Sequence, residues 1–495
     1  MREFELKFQV PPQQRARIEA AMACGPATRQ RLQARYFDTP KGALQRAGMV
    51  LRLRKEARRW VQTVKRAAAA RSFDRTEHSA RARCGTVVDL GLHDHTPVGQ
   101  PLRQALADTG EDASALQAIF TTDVVRLART FATAQTTVEV ALDRGCIAVA
   151  GREVPILELE FELKAGMPST LIELAQDWCT RYRLWLDPQS KGTAGRHLAG
   201  REEAPAAVTA VPIRMPKQAP VPDVLSAVLG SVVEQVLWNG REVATRQATD
   251  RHVHQLRVGL RRLRSVLREL AKLPEMASLP AGVEQALTAL FRELGEHRDA
   301  LVLVPQVERQ LADAGAPRPP REKPQPTVPD IGAAVRDPAF QSALLAVIGL
   351  RYRLQERVVD AATGRKALRK IVTRRLAKLY TQSLERGDRF AQLQEPERHR
   401  IRKRLKRLRY LSELMRPLYS RRNVDRFVAA LKDLQDALGE YQDAAVGRRL
   451  WWAQAGQDPA ALFGAGWLTA REEELARCCE RACCDALAEA VVFWK

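Results

Sequence analysis

Residues 157–164 read LELEFELK: Glu158, Glu160, Glu162 and Lys164 occupy every second position, and the side chains between them are apolar. In an extended chain successive side chains point to opposite faces, so this run is a β-strand with one charged face and one apolar face. The same period of two recurs where Glu3, Glu5 and Lys7 alternate with Phe4, Leu6 and Phe8, in LRLR at 51–54 with Arg52 and Arg54, along WVQTVK at 60–65 ending on Lys65, and at Arg75 and Glu77. Gly and Pro punctuate these segments as antiparallel strands demand. The first part of the chain is therefore mainly β.

A charged strand face has two readings. It is a solvated sheet surface, or it lines the inside of a closed or strongly curled sheet. In the second case Glu3, Glu5, Glu158, Glu160 and Glu162 crowd together and stay ionised only if a cation neutralises them. A divalent metal does this, and all-oxygen ligation favours Mg²⁺ or Mn²⁺ over zinc. Arg52, Arg54 and Lys65 then hold the rest of a phosphate chain through charge-assisted hydrogen bonds.

Working outward, 495 residues are enough for two to four domains, and 45% hydrophobic residues exclude disorder along the whole length. The net charge of +22 predicts attraction to polyanions. It is divided unevenly, 31 bases against 24 acids up to residue 210 and 49 against 34 beyond it. Between the halves, residues 201–223 carry five prolines and read as an extended linker. The expected domains are 1–205, a linker at 206–222, and 223–495. No run of about 18 apolar residues exists and the start, MREFELKFQV, is charged, which predicts neither a spanning helix nor a secretory signal, and no membrane partner. Of eight cysteines, Cys478, Cys479, Cys483 and Cys484 crowd one segment without CxxC spacing or a nearby His, which fits inert helix packing in a reducing cytoplasm better than a soft-metal site.

Beyond the linker the period changes to that of a helix, with Leu256, Leu260, Leu263 and Leu267 in one stretch and Leu405, Leu408 and Leu411 in another. This half contains an internal repeat. HQLRVGLRRLRS from His254 returns as HRIRKRLKRLRY from His399, and LGEHRDALV (294–302) returns as LGEYQDAAV (438–446). Two helical modules, about 223–315 and 331–495, are expected on either side of a proline-rich insertion at 316–330. His254, Arg257, Arg261 and Arg264 share one helix face, and His399, Arg402, Lys406 and Arg409 repeat the spacing. A lone charge run is commonly a solvated face. Two matched stripes bare of acids, each with a histidine in the same place, point instead to an anion groove. No carboxylate pair or cysteine stands at ligand spacing near either histidine, which argues against a metal there. The stripes hold no interleaved aromatics apart from Tyr410, which argues against a single-stranded nucleic acid.

These motifs carry two resemblances. ExExK at Glu3, Glu5 and Lys7, YFDT at 36–39, LRLR, QTVK at 62–65, Arg75 with Glu77, TTDVVR ending at Arg126, ALDRG around Asp143, ELEFELK and SKG at 190–192 resemble, in order, the CYTH domains or triphosphate tunnel metalloenzymes. The resemblance implies an eight-stranded antiparallel β tunnel. It makes Glu3, Glu5, Glu158, Glu160 and Glu162 metal ligands with Asp143 as a further acid, and Lys7, Arg52, Arg54, Lys65, Arg75, Arg126 and Lys191 phosphate contacts. SKG continues as SKGTAGR where many relatives have SKAxRG, a departure that touches Lys191 and Arg196. The helical half resembles the CHAD domain, whose two repeats each carry H-x-x-R-x-x-x-(R/K)-(R/K)-x-R and which is associated with inorganic polyphosphate.

Together they imply an α+β two-domain chain, a CYTH tunnel followed by an all-α CHAD bundle. The implied function is an inorganic triphosphatase that splits tripolyphosphate into pyrophosphate and phosphate with Mg²⁺ or Mn²⁺, its helical half binding long-chain polyphosphate, with a cytoplasmic setting and an association with polyphosphate granules. The alternatives are a nucleoside or thiamine triphosphate phosphohydrolase, an adenylate cyclase, and a non-catalytic polyphosphate-binding protein.

Overall fold

The computed structural model describes residues 2–67, 73–201, 203, 205–216, 219–316, 328–356, 361–384, 386–456, 459–489 and 492–494. Two compact units emerge. One comprises Met1–Val208, Leu237–His252 and Val335–Arg353, the other Thr209–Val236, Val253–Ala334 and Leu354–Lys495.

The first unit is built on eight antiparallel strands: β1 (Arg2–Gln9), β2 (Ala27–Asp38), β3 (Met49–Glu56), β4 (Arg59–Ala67), β5 (Asp74–Ala82), β6 (Gln117–Ala132), β7 (Thr137–Val149) and β8 (Arg152–Ala165). Their order is β5-β4-β3-β2-β6-β7-β8-β1, and β1 returns to β5 with Glu3 opposite Arg75, so the sheet closes into a barrel. A two-residue strand, β9 (Trp185–Leu186), adds to β1 beside Phe8 and Gln9.

Closure decides between the two readings of the charged face. Leu6, Phe8, Leu51, Leu53, Val64, Leu159 and Phe161 are fully buried outside the barrel wall. Phe161 packs edge-on against Phe8 and against Trp178 of helix α1 (Pro168–Tyr182). Because the side-chain period is two, the intervening charges must then face the lumen. A second helix, α2 (Lys191–Leu198), starts at Ser190, whose Oγ accepts the Thr193 N–H at 3.1 Å, a standard N-cap that places Lys191 in the first turn. Gly195 lets α2 lie against the barrel: a Cβ there would stand 2.3 Å from the Phe120 ring, itself stacked on Tyr36.

The predicted linker contains coil over 205–216, and the next helix, α3 (Val221–Ala244), begins two residues before the expected domain start. By length and composition α3 could cross a membrane, but most of its apolar face is buried, from Val224 and Leu225 to Val236 and Leu237. In the second unit, α4 (Asp250–Leu270) and α5 (Val283–Arg298) return as α6 (Glu395–Leu414) and α7 (Lys432–Gln454), matching the sequence repeat. Leu256, Leu260, Leu263, Leu405 and Leu408 are all fully buried, so the leucine stripe is the core seam and the basic stripe flanks it. Most of the proline-rich insertion, 317–327, lies outside the described residues. On α8 (Pro459–Glu489), burial pushes the Cys479 and Cys483 thiols up to about 12, which keeps them protonated and poor ligands.

Candidate functional site

The barrel encloses a cavity of about 530 Å³. Glu3, Glu5, Lys7, Arg52, Arg54, Lys65, Arg75, Arg126, Asp143, Glu160, Glu162 and Lys191 all line it, and Glu158 is buried immediately behind, bonded to Lys7 at 2.9 Å. The structure thus collects all the predicted tunnel residues around one space. Strand order also sorts them. Arg52 and Arg54, Lys65 and Arg75 belong to adjacent strands β3, β4 and β5, whereas Glu5, Asp143, Glu158, Glu160 and Glu162 belong to β1, β7 and β8, an arc that meets β5 through β1.

Within the acidic arc, oxygens of Asp143, Glu158 and Glu160 lie within 4.8 Å of one another. Cations of the chain itself also reach these acids. The Lys191 ammonium lies 2.7 Å from Asp143 and 2.6 Å from Glu160 and also contacts Glu158. Arg126 grips Asp143 with two bonds of 2.7 Å and touches Glu160. Burial would raise the Glu160 carboxyl, yet Lys191 and Arg126 hold it well below the usual carboxylate range. Lys191 is raised well above the ordinary lysine value, burial being outweighed by Asp143, Glu158 and Glu160.

At the junction of β1, β4 and β5, Lys65 is bonded to Glu3 at 2.8 Å and to Glu77 at 2.8 Å. Burial, with Glu5 and Glu77 adding repulsion, pushes Glu3 up to about 7 despite Lys65. Glu77 is held down to about 2, burial being overcome by Lys65. Arg75 lies 3.6 Å from Glu5. Burial, with Arg52 beside it, lowers Arg54, which pairs with Glu56, and the buried Nε of Arg52 has no hydrogen-bond partner. Two guanidinium groups side by side on one wall form a surface that suits an anion.

Several lining groups were not anticipated. Tyr36, Asp187 and Trp238 also face the cavity. Asp187 stands alone in a coil and Trp238 on a helix, where no alternation marks the face.

In the helical unit the two basic stripes converge. Arg257 and Arg261 of α4 and Arg402 and Lys406 of α6 act on one another electrostatically, together with Arg298 of α5. Burial, with Arg261 and Arg402 next to it, drives Lys406 down to about 5, and Arg257 and Arg402 fall to about 10 for the same reasons. His254 and His399 are both lowered, first by burial and then by the cations around them. The outer members differ from the centre. Arg264 stacks with Arg257 and Arg261 around the Phe291 ring, and Arg409 is held by Glu413 at 2.7 Å and by Gln435.

Comparison with known proteins agrees with this division. The family profile described as CYTH domain matches residues 1–194, and that described as CHAD domain matches 227–451. A Haemophilus influenzae protein named inorganic triphosphatase is 28% identical over 167 residues, 34% of this chain and 46% of that protein. An uncharacterized Mycobacterium tuberculosis protein is 31% identical over 284 residues, 53% of this chain and 52% of that one. The chain therefore spans about half the length of these curated relatives. The crystal structure of the CHAD domain from the plant Ricinus communis covers 56% of this chain and 96% of its own at 23% identity and a TM-score of 0.43. A closed eight-stranded tunnel of interleaved acids and bases, followed by a duplicated helical module, identifies the chain as a CYTH domain followed by a CHAD domain.

Proposed function

We propose that this protein is a metal-dependent inorganic triphosphatase, converting tripolyphosphate and water into pyrophosphate and phosphate, and that its helical unit binds long-chain polyphosphate. The observation that carries the reading is the division of the barrel into a basic arc on β3 to β5 and an acidic arc on β7, β8 and β1 around one cavity. A phosphate chain needs the first, and a hard divalent cation, Mg²⁺ or Mn²⁺, suits the clustered carboxylate oxygens of the second.

Asp143, Glu158 and Glu160 would hold the ion, with Glu3, Glu5 and Glu162 further along the same lumen. When bound, a divalent ion supplies charge neutralisation at phosphate oxygens and a more acidic water. The chain's own part is positioning and electrostatics, as phosphoryl transfer requires. Arg52 and Arg54 present guanidinium forks to non-bridging oxygens, Lys65 and Arg75 continue the basic wall, and Lys7, Arg126 and Lys191 supply positive charge from the acidic side. The tunnel wall shields the anion from bulk water, which strengthens each of these contacts.

In the helical unit, the mutually repelling Arg257, Arg261, Arg402 and Lys406, with His254 and His399 beside them, are stabilised by a polyanion. Arg264 and Arg409 extend the stripes. Duplex DNA competing equally with long-chain polyphosphate at about 0.15 M salt would overturn this assignment.

The enzymatic reading is tested by phosphate release from tripolyphosphate, ATP and thiamine triphosphate, with and without divalent metal, and by following cyclic AMP. Preferential metal-dependent cleavage of tripolyphosphate supports it. Preference for a nucleoside or thiamine triphosphate, or appearance of cyclic AMP, replaces it with the corresponding alternative, and binding without turnover replaces it with a polyphosphate-binding role.

A further inference from the structure

Lys7, on β1, is held by residues far along the chain. Its Nζ bonds Glu158 Oε2 at 2.9 Å and lies 3.8 Å from Asp187 Oδ2, so two buried carboxylates compete for one ammonium. The backbone keeps both contestants in place, since the Asp187 N–H donates to the Lys7 carbonyl at 2.9 Å. Asp187 is further held by Gln9 Nε2 at 2.8 Å and by the Gln189 N–H at 2.9 Å.

The other charge on Asp187 comes from α3. Arg241 is buried, and its Nε lies 3.3 Å from Asp187 Oδ1 while Nη1 donates to Glu242 at 2.6 Å and Nη2 to Gln189. One turn earlier, Trp238 lines the cavity. Both residues belong to Leu237–His252, part of the same compact unit as the barrel, although they lie within the stretch matched by the CHAD profile.

We infer that Arg241 is a positioning residue of the triphosphate site: by sharing the charge of Asp187 it leaves Lys7 directed at Glu158 and the cavity, where it can contact a phosphate. This inference rests on the triphosphatase reading. Without the Arg241 charge, Lys7 becomes, among the described residues, the only cation within salt-bridge distance of Asp187, and in a low-dielectric setting the ammonium closes the 3.8 Å gap and leaves the lumen.

The test uses the full chain. Replacing Arg241 alone would leave Glu242 buried without its cation, so the pair is neutralised together as R241Q/E242Q. The expected result is a KM for tripolyphosphate raised about tenfold, with kcat changed less than about threefold, as loss of one charge-assisted phosphate contact predicts. Metal-free tripolyphosphate binding by calorimetry should weaken by a similar factor. Adding D187N removes the competing carboxylate and should restore both values, and R241K, which keeps the charge, should stay near wild type. A purely structural role predicts the opposite, a triple variant no better or worse than the double. Wild-type KM and affinity in a folded R241Q/E242Q protein overturn the inference alone. A wild-type protein that neither binds nor cleaves tripolyphosphate overturns the underlying reading and the inference with it.

Discussion

Arg298 and Asp443 join the two helical repeats at their second matched segment, the guanidinium meeting the carboxylate through bonds of 2.9 and 2.7 Å. Asp443 occupies the place that Asp299 holds in the first repeat, and Gln442 the place of Arg298. The reciprocal pair would set Gln442 against Asp299, but Gln442 lies 3.4 Å from His399, and Asp299 is raised chiefly by burial. The duplication is therefore electrostatically one-sided.

This asymmetry predicts the response to substitution. R298A leaves Asp443 half-buried without its bidentate partner and should destabilise the protein by about 1–3 kcal/mol. R298Q/D443N removes both charges and should lose less than R298A. Urea unfolding measures both, and equal losses would show that the two groups are not coupled.

Lys406 predicts proton uptake on ligand binding. Its folded value of about 5 lies below the usual 10.5, so the unfolded chain holds one more proton between these limits and the group's contribution to stability increases with pH across that window. A polyanion favours the ammonium, so binding at pH 7 should take up close to one proton, and affinity should fall as pH rises. Calorimetry in buffers of different ionisation enthalpy reads this directly. K406M should remove most of the uptake, leaving the part due to His254 and His399.

In the tunnel, E5Q and R54A remove an acidic-arc carboxylate and a basic-wall fork respectively, with the fold left standing. Each should lower tripolyphosphate turnover by a factor of about a hundred or more. Chelation should stop the wild-type reaction, and turnover that survives chelation would contradict the metal-dependent mechanism.

His93 predicts acid sensitivity. It is fully buried against His78, the two Nδ1 atoms 2.8 Å apart, and burial with His78 nearby lowers it to about 4 from the usual 6.5. The unfolded chain therefore binds the extra proton between pH 4 and 6.5. The contribution is present above about 6.5 and is lost as pH falls toward 4, up to about 3 kcal/mol in all. H93N should flatten the fall in urea stability between pH 7 and 4.5, and an unchanged slope would place the sensitivity elsewhere.

Much of the tunnel was legible because strands impose a strict alternation. Once Leu159 and Phe161 are assigned to the core, Glu158, Glu160 and Glu162 have only the other face to occupy. The pattern could not show that Lys191, from a helix start, would lie among Asp143, Glu158 and Glu160. Likewise, equal spacing gave Arg402 and Arg409 equal standing, whereas Glu413 and Gln435 engage Arg409 and burial among cations sets Arg402 apart.

Periodicity is a local property, so the chain alone determined the strand and helix faces, the break between a β half and an α half, and the duplication of the helical module. Which strand meets which, which charges face one another, and that Arg241 reaches Asp187 across more than fifty residues depend on long-range closure. Electrostatic energy depends on distance and burial rather than on separation along the chain, and only the folded structure sets those two quantities.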